Sequence, residues 1–306
     1  MNSPDGAQLR PQTLLLDLLG AYVHGRGVAV WSGGLVALLG PLGFSSVAGR
    51  AAVHRVVARG LLERLRAGRH VKLRLSERGE RILAEGDARI FTFGRTPAAP
   101  MAGPWTVVWH QVPPSHRLQR QRLAARLRFW GFGQVRDGLW ITPHDRAGRV
   151  GAAIHELGLL TRVSVVVGTP LDGIDPENAW DMRRLRESYR RFLMQARAAD
   201  VERLTDAQAF VCRTELVHAF RSFVLLDPEL GGQAGLEEER RRATALFDER
   251  YRRLAEPASR HVDRILLDPQ YALARVGPGS RTKPSPRGRV GWGRSLGSGL
   301  QAERRA

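Results

Sequence analysis

Residues 61–76, "LLERLRAGRHVKLRLS", alternate apolar and basic side chains on both sides of Ala67-Gly68, a pattern that fits a β-hairpin and little else. What precedes it reads as helix. Residues 13–24, "TLLLDLLGAYVH", put Leu14, Leu15, Leu18, Leu19 and Tyr22 on one face at helical spacing, with Thr13 as the expected N-cap. "WSGGLVALLGPLGF" reads as a short apolar helix stopped by Gly40 and Pro41. Ser45 and Ser46 offer N-caps for a third helix running to about Arg59, with Gly60 as its C-terminal stop. After the hairpin, "SERGERILAEGDARIF" opens with Ser76 ahead of Glu77 and Glu80, as a capped helix should. Three helices, a hairpin and a further helix is the order of a winged helix-turn-helix.

This segment concentrates positive charge. From Arg50 to Arg81 there are ten Arg or Lys against Glu63, Glu77 and Glu80. The chain of 306 residues carries a net charge of +18, and its last 33 positions hold eight basic residues and one Glu. Removing that tail (18 − 7) leaves about +11 on residues 1–273, so the tail alone does not account for the surplus. A surplus of this size points to a polyanionic partner.

The third helix has two faces. Ala52, Val53, Val56 and Val57 fall on one side and should face the other helices. Val47, Arg50, Ala51, His54 and Arg55 fall on the other, behind Ser45 and Ser46. Entry into a major groove needs small residues for close approach, long donors for guanine O6 and N7, and N-terminal hydroxyls and amides for phosphate. The hairpin adds Arg64, Arg66, Arg69, His70, Lys72 and Arg74, suited to a phosphate backbone. The DNA-contacting set expected from sequence is Ser45, Ser46, Arg50, His54, Arg55, Arg66, Arg69 and Lys72. The bland reading of such a charge run is a solvated face. Gly49 weakens the third helix by about 1 kcal/mol relative to alanine.

Further along, the period changes. "GRTPAAPMAGP", residues 94–104, reads as a linker. "WTVVWHQV", "GLWITP" and "TRVSVVVG" read as strands, separated by the basic helix "SHRLQRQRLAARLRFWGF" and by "RAGRVGAAIHELG". That alternation suits a small ferredoxin-like domain over 105–175. Residues 176–273 are expected to be almost all helical, and 274–306 a disordered basic tail. The fold class is therefore α+β multidomain: a winged helix-turn-helix over 1–93, a linker, a ferredoxin-like centre and a helical C-terminal domain.

No enzyme is expected. "GVAVWSGG" is not a phosphate loop, and GxSxG, HExxH and CxxC are absent. The nine histidines show no metal-ligand spacing, so no metal or cofactor is expected. Cys212, the one cysteine, lies in an apolar helical pattern and reads as a buried thiol in a reducing compartment. "TPHD" reads as a strand-end turn, and "LEEERRR" as an exposed, charge-paired helix face. The N-terminus lacks a signal-peptide pattern and no run of 18 apolar residues occurs, so a cytoplasmic protein is expected. Trp105, Trp109, Trp130, Phe132 and Trp140 crowd the middle; they either pack a core or line an apolar effector pocket. Arg213, His218 and Arg221 share a helical face, to pair with carboxylates or to bind an acidic ligand.

"GRAAVHRVVARGLL" followed by "GRHVKLRLSERGERILAEGDARIF" resembles the DNA-binding domain of the PaaX family, repressors of phenylacetic-acid catabolism. "RLRFWGFGQVRDGLWITPHD" resembles its central segment, and "CRTELVHAFRSFVLLDPEL" with "ALFDERYRRLAEPASRHVDRIL" its C-terminal part. The resemblance spans roughly residues 13–267. It implies a winged-helix domain, a Cas2-like ferredoxin fold, a helical C-terminal domain, and a homodimer on a double-stranded DNA operator, released by phenylacetyl-CoA or another aryl-acyl-CoA. It matches Arg50 and Arg55 to the recognition helix and Gly68-Arg69 to the wing turn. Trp130, Trp140, Arg213 and Arg221 are the candidate effector residues. Two departures stand out. Gln111 replaces an aspartate the family usually carries, which argues against a metal-dependent nuclease. "GGQAGLEEERR" stands where the family tends to have Pro-Asp-Trp-Pro-Gly. A CoA-dependent enzyme and a sequence-indifferent architectural protein are the other classes open to the sequence.

Overall fold

The computed structural model describes residues 10–67, 70–95, 98–100, 103–169, 176–198, 201–232 and 236–267. Arg69, the expected tail from 274 and parts of the expected linker lie outside that set. The chain divides into two compact units. The first takes residues up to Arg89, Gln195–His218 and those from Phe247 on; the second takes Ile90–Met194 and Ala219–Leu246.

The first unit opens with α1 (Pro11–Tyr22), β1 (Val30–Trp31), α2 (Ser32–Leu39) and α3 (Ser46–Ala58). It continues with β2 (Leu62–Ala67), β3 (His70–Leu75) and the start of α4 (Glu77–Thr92). Thr13 does not cap α1. Arg10 occupies the cap position without a side-chain bond, and Pro11 stands in the first turn, where its fixed φ suits the helix and no N–H is required. Ser45 caps α3 as expected, its Oγ accepting from the Ala48 N–H at 3.2 Å. Gly60 leaves the helix at φ +68°, the left-handed geometry glycine adopts freely.

Leu14, Leu15, Leu18 and Leu19 of α1 pack with Leu35, Leu38 and Leu39 of α2 and with Ala52, Val53 and Val56 of α3. Gly49 has a packing reason. A Cβ there would lie 3.0 Å from Cγ1 of Val36, so its bareness lets α3 approach α2. The hairpin pairs Leu62 with Leu75 and Ala67 with His70, as the alternation predicts. β1, which the sequence pattern did not disclose, adds a third strand beside β3, giving the order β1-β3-β2. It pairs Val30 with Leu73 and Trp31 with Lys72.

The second unit contains β4 (Trp105–His110), α5 (Arg117–Phe129), β5 (Gly133–Arg136), β6 (Leu139–Thr142), α6 (Ala147–Glu156) and β7 (Val163–Gly168). The sheet order is β5-β6-β4-β7 and every neighbouring pair is antiparallel. Val108, Leu123, Leu127, Trp130, Phe132, Trp140, Val150 and Ile154 form one core. Within the expected linker, Ala99 is buried and bridges to the 229–231 stretch: its N–H donates to the Glu229 carbonyl at 2.8 Å, and its carbonyl accepts from Gly231 at 3.0 Å.

The remaining helices are α7 (Pro176–Ala179), α8 (Met182–Ala198), α9 (Asp206–Val224), α10 (Glu237–Arg253) and α11 (Ala255–Leu267). Phe210 of α9 and Ala258, Val262, Ile265 and Leu266 of α11 complete the first unit's core. Gly34 of α2 admits α11 closely, since a Cβ there would sit 2.8 Å from the Ile265 carbonyl oxygen. In the second unit Phe93, Phe192, Phe220 and Phe223 stack edge to face or tilted on one another, and Tyr189 lies against Phe223.

The acidic-basic run at 236–242 is only partly the solvated face expected. Glu238 pairs outward with Arg241 and Arg242, but Arg240 is 5% exposed and turns inward onto Asp227. The turn at "TPHD" is structural: His144 Nε2 lies 2.9 Å from the Pro228 carbonyl oxygen, and the His144 carbonyl accepts from Thr106 Oγ1. Cys212 is buried.

Candidate nucleic-acid interface

Burial on one side of α3 leaves a polar side free. Gly49, Ala52, Val53 and Val56 are buried, whereas Ser46, Val47, Arg50, His54 and Arg55 are exposed. Arg50 and His54 lie one turn apart, and neither forms an ion pair with any described residue. Arg55 donates from Nε to Gln12 Oε1 of α1 at 3.3 Å, which steadies the side chain without neutralising it. Arg59, at the end of α3, and Arg64 on β2 are likewise exposed and unpaired among the described residues. α3 thus presents donors, small residues and no carboxylate on one face. Such a face can approach an acceptor-rich groove without desolvating an acid.

Several residues of the basic surface also have partners within the protein. Ser45 accepts the cap bond of α3 through Oγ, which leaves its O–H free to donate, and Ser46 beside it is also exposed. Lys72 is half-buried, with Nζ 4.8 Å from the Trp31 ring centre, an arrangement created by the unforeseen β1 strand. Arg74 is tied to Glu63 across the hairpin at 2.9 Å. Arg66 lies on β2, its side chain outside the described set, as is Arg69 altogether.

The expected effector residues are divided between the two units. Trp130 and Trp140 belong to the core of the second unit. Arg213 belongs to the first, where it is 5% exposed and sandwiched between Tyr251 at 3.9 Å and Tyr22 at 5.0 Å. Burial raises the pKa of both tyrosines, and the neighbouring guanidinium lowers it in part. His218 pairs with buried Asp17 at 3.1 Å, the structural alternative for that helix face. Arg221 is half-buried in the second unit and has partners of its own.

Sequence reasoning overlooked a set of basic residues in the second unit. His110, Arg117, Arg120, Arg128 and Trp140 border one concavity. The signal was present as arginines at 117, 120 and 128 on one side of "RLQRQRLAARLRF".

Comparison with known proteins finds three family domains in succession along the chain. Residues 10–79 match the model for PaaX-like proteins, 98–180 the PaaX central Cas2-like domain, and 180–264 the PaaX-like C-terminal domain. The transcriptional repressor PaaX of Escherichia coli (strain K12) is 27% identical over 236 residues, covering 71% of this chain and 72% of that protein. A solved structure, the uncharacterized protein Rv0674 from Mycobacterium tuberculosis, is 22% identical and covers 84% of this chain and 98% of its own, with a TM-score of 0.48. Three family domains in the same order, running almost end to end from residue 10 to residue 264, make this chain a member of the PaaX family.

Proposed function

We propose that the chain is a DNA-binding transcriptional regulator, a repressor that grips its operator as a homodimer and is released by an aryl-acyl-CoA such as phenylacetyl-CoA. One observation carries the DNA reading: the exposed face of α3 that holds Arg50 and His54 free of acidic partners. Three helices, the β2–β3 hairpin and the third strand β1 support a winged helix-turn-helix with α3 as the reading helix. The βαββαβ order and the 2-3-1-4 strand arrangement support a ferredoxin-like centre. The repressor reading leans on the Escherichia coli relative's name. A two-fold dimer would set half-sites about 34–36 Å apart or at a multiple of that spacing.

Arg50→Ala and Arg64→Ala should separate reading from gripping. Loss of Arg50 is expected to cost about 1–3 kcal/mol on the operator and little on unrelated DNA. Loss of Arg64 should weaken both and flatten the salt slope by about one unit. Titrations on both DNAs at several salt concentrations measure this, and equal effects from the two substitutions would refute the division of labour. Footprinting distinguishes an architectural protein, which would protect no discrete site.

A further inference from the structure

The second unit holds a concavity of about 550 Å³ that the DNA reading leaves unused. One face of α5 forms its wall, and the end of β4 with the β5–β6 hairpin forms its floor and rim. A cavity of this volume fits a small organic molecule, for which roughly 300–1,000 Å³ is usual.

The wall is cationic. Arg117, Arg120 and Arg128 line it, and at a helical rise of about 1.5 Å per residue the outer two lie about 16 Å apart along α5. Asp137 is the one carboxylate among the lining residues, and it is taken by Arg120 at 2.5 Å. Arg117 is exposed and forms no ion pair with a described residue. Arg128 forms none either; it lies over the Trp140 ring, 5.0 Å from its centre.

The floor is aromatic and neutral. Trp140 donates from Nε1 to Nε2 of His110 at 3.4 Å. An indole nitrogen can only donate, so that imidazole nitrogen carries no proton and the ring is uncharged. Burial, and then the charge of Arg120, hold the His110 pKa below its ordinary value, in keeping with a neutral ring.

A cationic wall beside a neutral aromatic floor selects a molecule that joins anionic groups to a flat or apolar part. Guanidinium groups spread over three helical turns favour several phosphate oxygens over a single carboxylate. We propose that this cleft is the effector site of the regulator and takes a small phosphorylated organic molecule, its phosphates held by Arg117 and Arg128 and its apolar part set against the cleft floor. The assignment rests on the effector-responsive reading above and gives it a place and a chemistry. The shared chemistry is phosphate, whether it comes from a coenzyme thioester or from a free nucleotide.

Isothermal titration of the full chain with phenylacetyl-CoA, ADP, inorganic pyrophosphate and phenylacetate tests the site, and its arms separate the sources. At least one phosphate-bearing probe should bind the wild type, and phenylacetate should not. Arg117→Ala with Arg128→Ala should weaken that binding at least about tenfold, two charge-assisted contacts being lost. Gln121→Glu, on the exposed wall, should weaken it in the same direction without touching the core. Failure of every phosphate-bearing probe to bind the wild type would overturn the proposal, as would unchanged binding by the double variant or phenylacetate binding as tightly as the others. The double variant should retain wild-type affinity for DNA in gel retardation without effector; loss there would assign the arginines to nucleic acid and overturn the proposal. Failure of the regulator reading itself would show separately, as a wild-type protein that protects no discrete DNA site.

Discussion

Asp227→Ala is expected to cost the second unit about 3–5 kcal/mol. Asp227 is 1% exposed and answers four donors. Arg240 gives Nη2 to Oδ1 at 2.9 Å and Nε to Oδ2 at 3.1 Å; Tyr189 donates its hydroxyl to Oδ2; the Glu229 N–H donates to Oδ1 at 2.6 Å. Burial and the carboxylate raise the Tyr189 pKa, so the phenol stays protonated and remains a donor. Removing the carboxylate strands a guanidinium that is itself 5% exposed. Against a total stability of about 5–15 kcal/mol, that is enough to unfold the unit under mild denaturant. Tyr189→Phe should cost only about 1–2 kcal/mol, because the ion pair survives. Asp227→Leu combined with Arg240→Met should be less damaging than Asp227→Ala, since no unpaired charge is left inside. Urea unfolding followed by circular dichroism ranks the three, and an Asp227→Ala midpoint no lower than that of Tyr189→Phe would defeat the account.

Gly138→Val should also be severe, at about 3 kcal/mol or more, for two independent reasons. Gly138 stands at φ +76°, which a β-branched residue resists, and a Cβ there would lie 2.4 Å from the His110 carbonyl oxygen. The obstacle is backbone, and the same edge holds the bond from the His110 N–H to the Gly138 carbonyl at 2.8 Å. β4 would have to move, and the cleft floor with it. Gly148 is the internal contrast. It is exposed in α6 with nothing within 4 Å of a built Cβ, so Gly148→Ala should stabilise by up to about 1 kcal/mol. Thermal melts of the two variants should move in opposite directions.

The sequence disclosed those elements whose period is long enough to register. α3 was legible because its apolar positions recur with the helix and its cap is a serine beside Ala48. The hairpin was legible because alternation persists on both sides of one glycine. β1 was not, since two residues carry no period, and with it went the Trp31–Lys72 contact. Gly49 read as a weak point because propensity scales know nothing of Val36 beside it. Arg240 read as solvated because its run is charged throughout, and only the fold brings Asp227 beneath it. The cleft on α5 escaped notice because its partners on β4 and the β5–β6 hairpin are adjacent only after the sheet forms.

The first unit's core closes on Phe210 and on Val262, Ile265 and Leu266, near the far end of the described chain. At a ribosomal rate of about 5–20 residues per second, the polypeptide between residue 94 and residue 266 takes roughly 10 to 35 seconds to emerge. Throughout that interval the nascent N-terminal segment exists with α2 bare where α11 will sit. The first unit therefore cannot close its core until α11 has emerged, so a chain broken before α11 is expected to leave the apolar face of α2 bare and prone to aggregate.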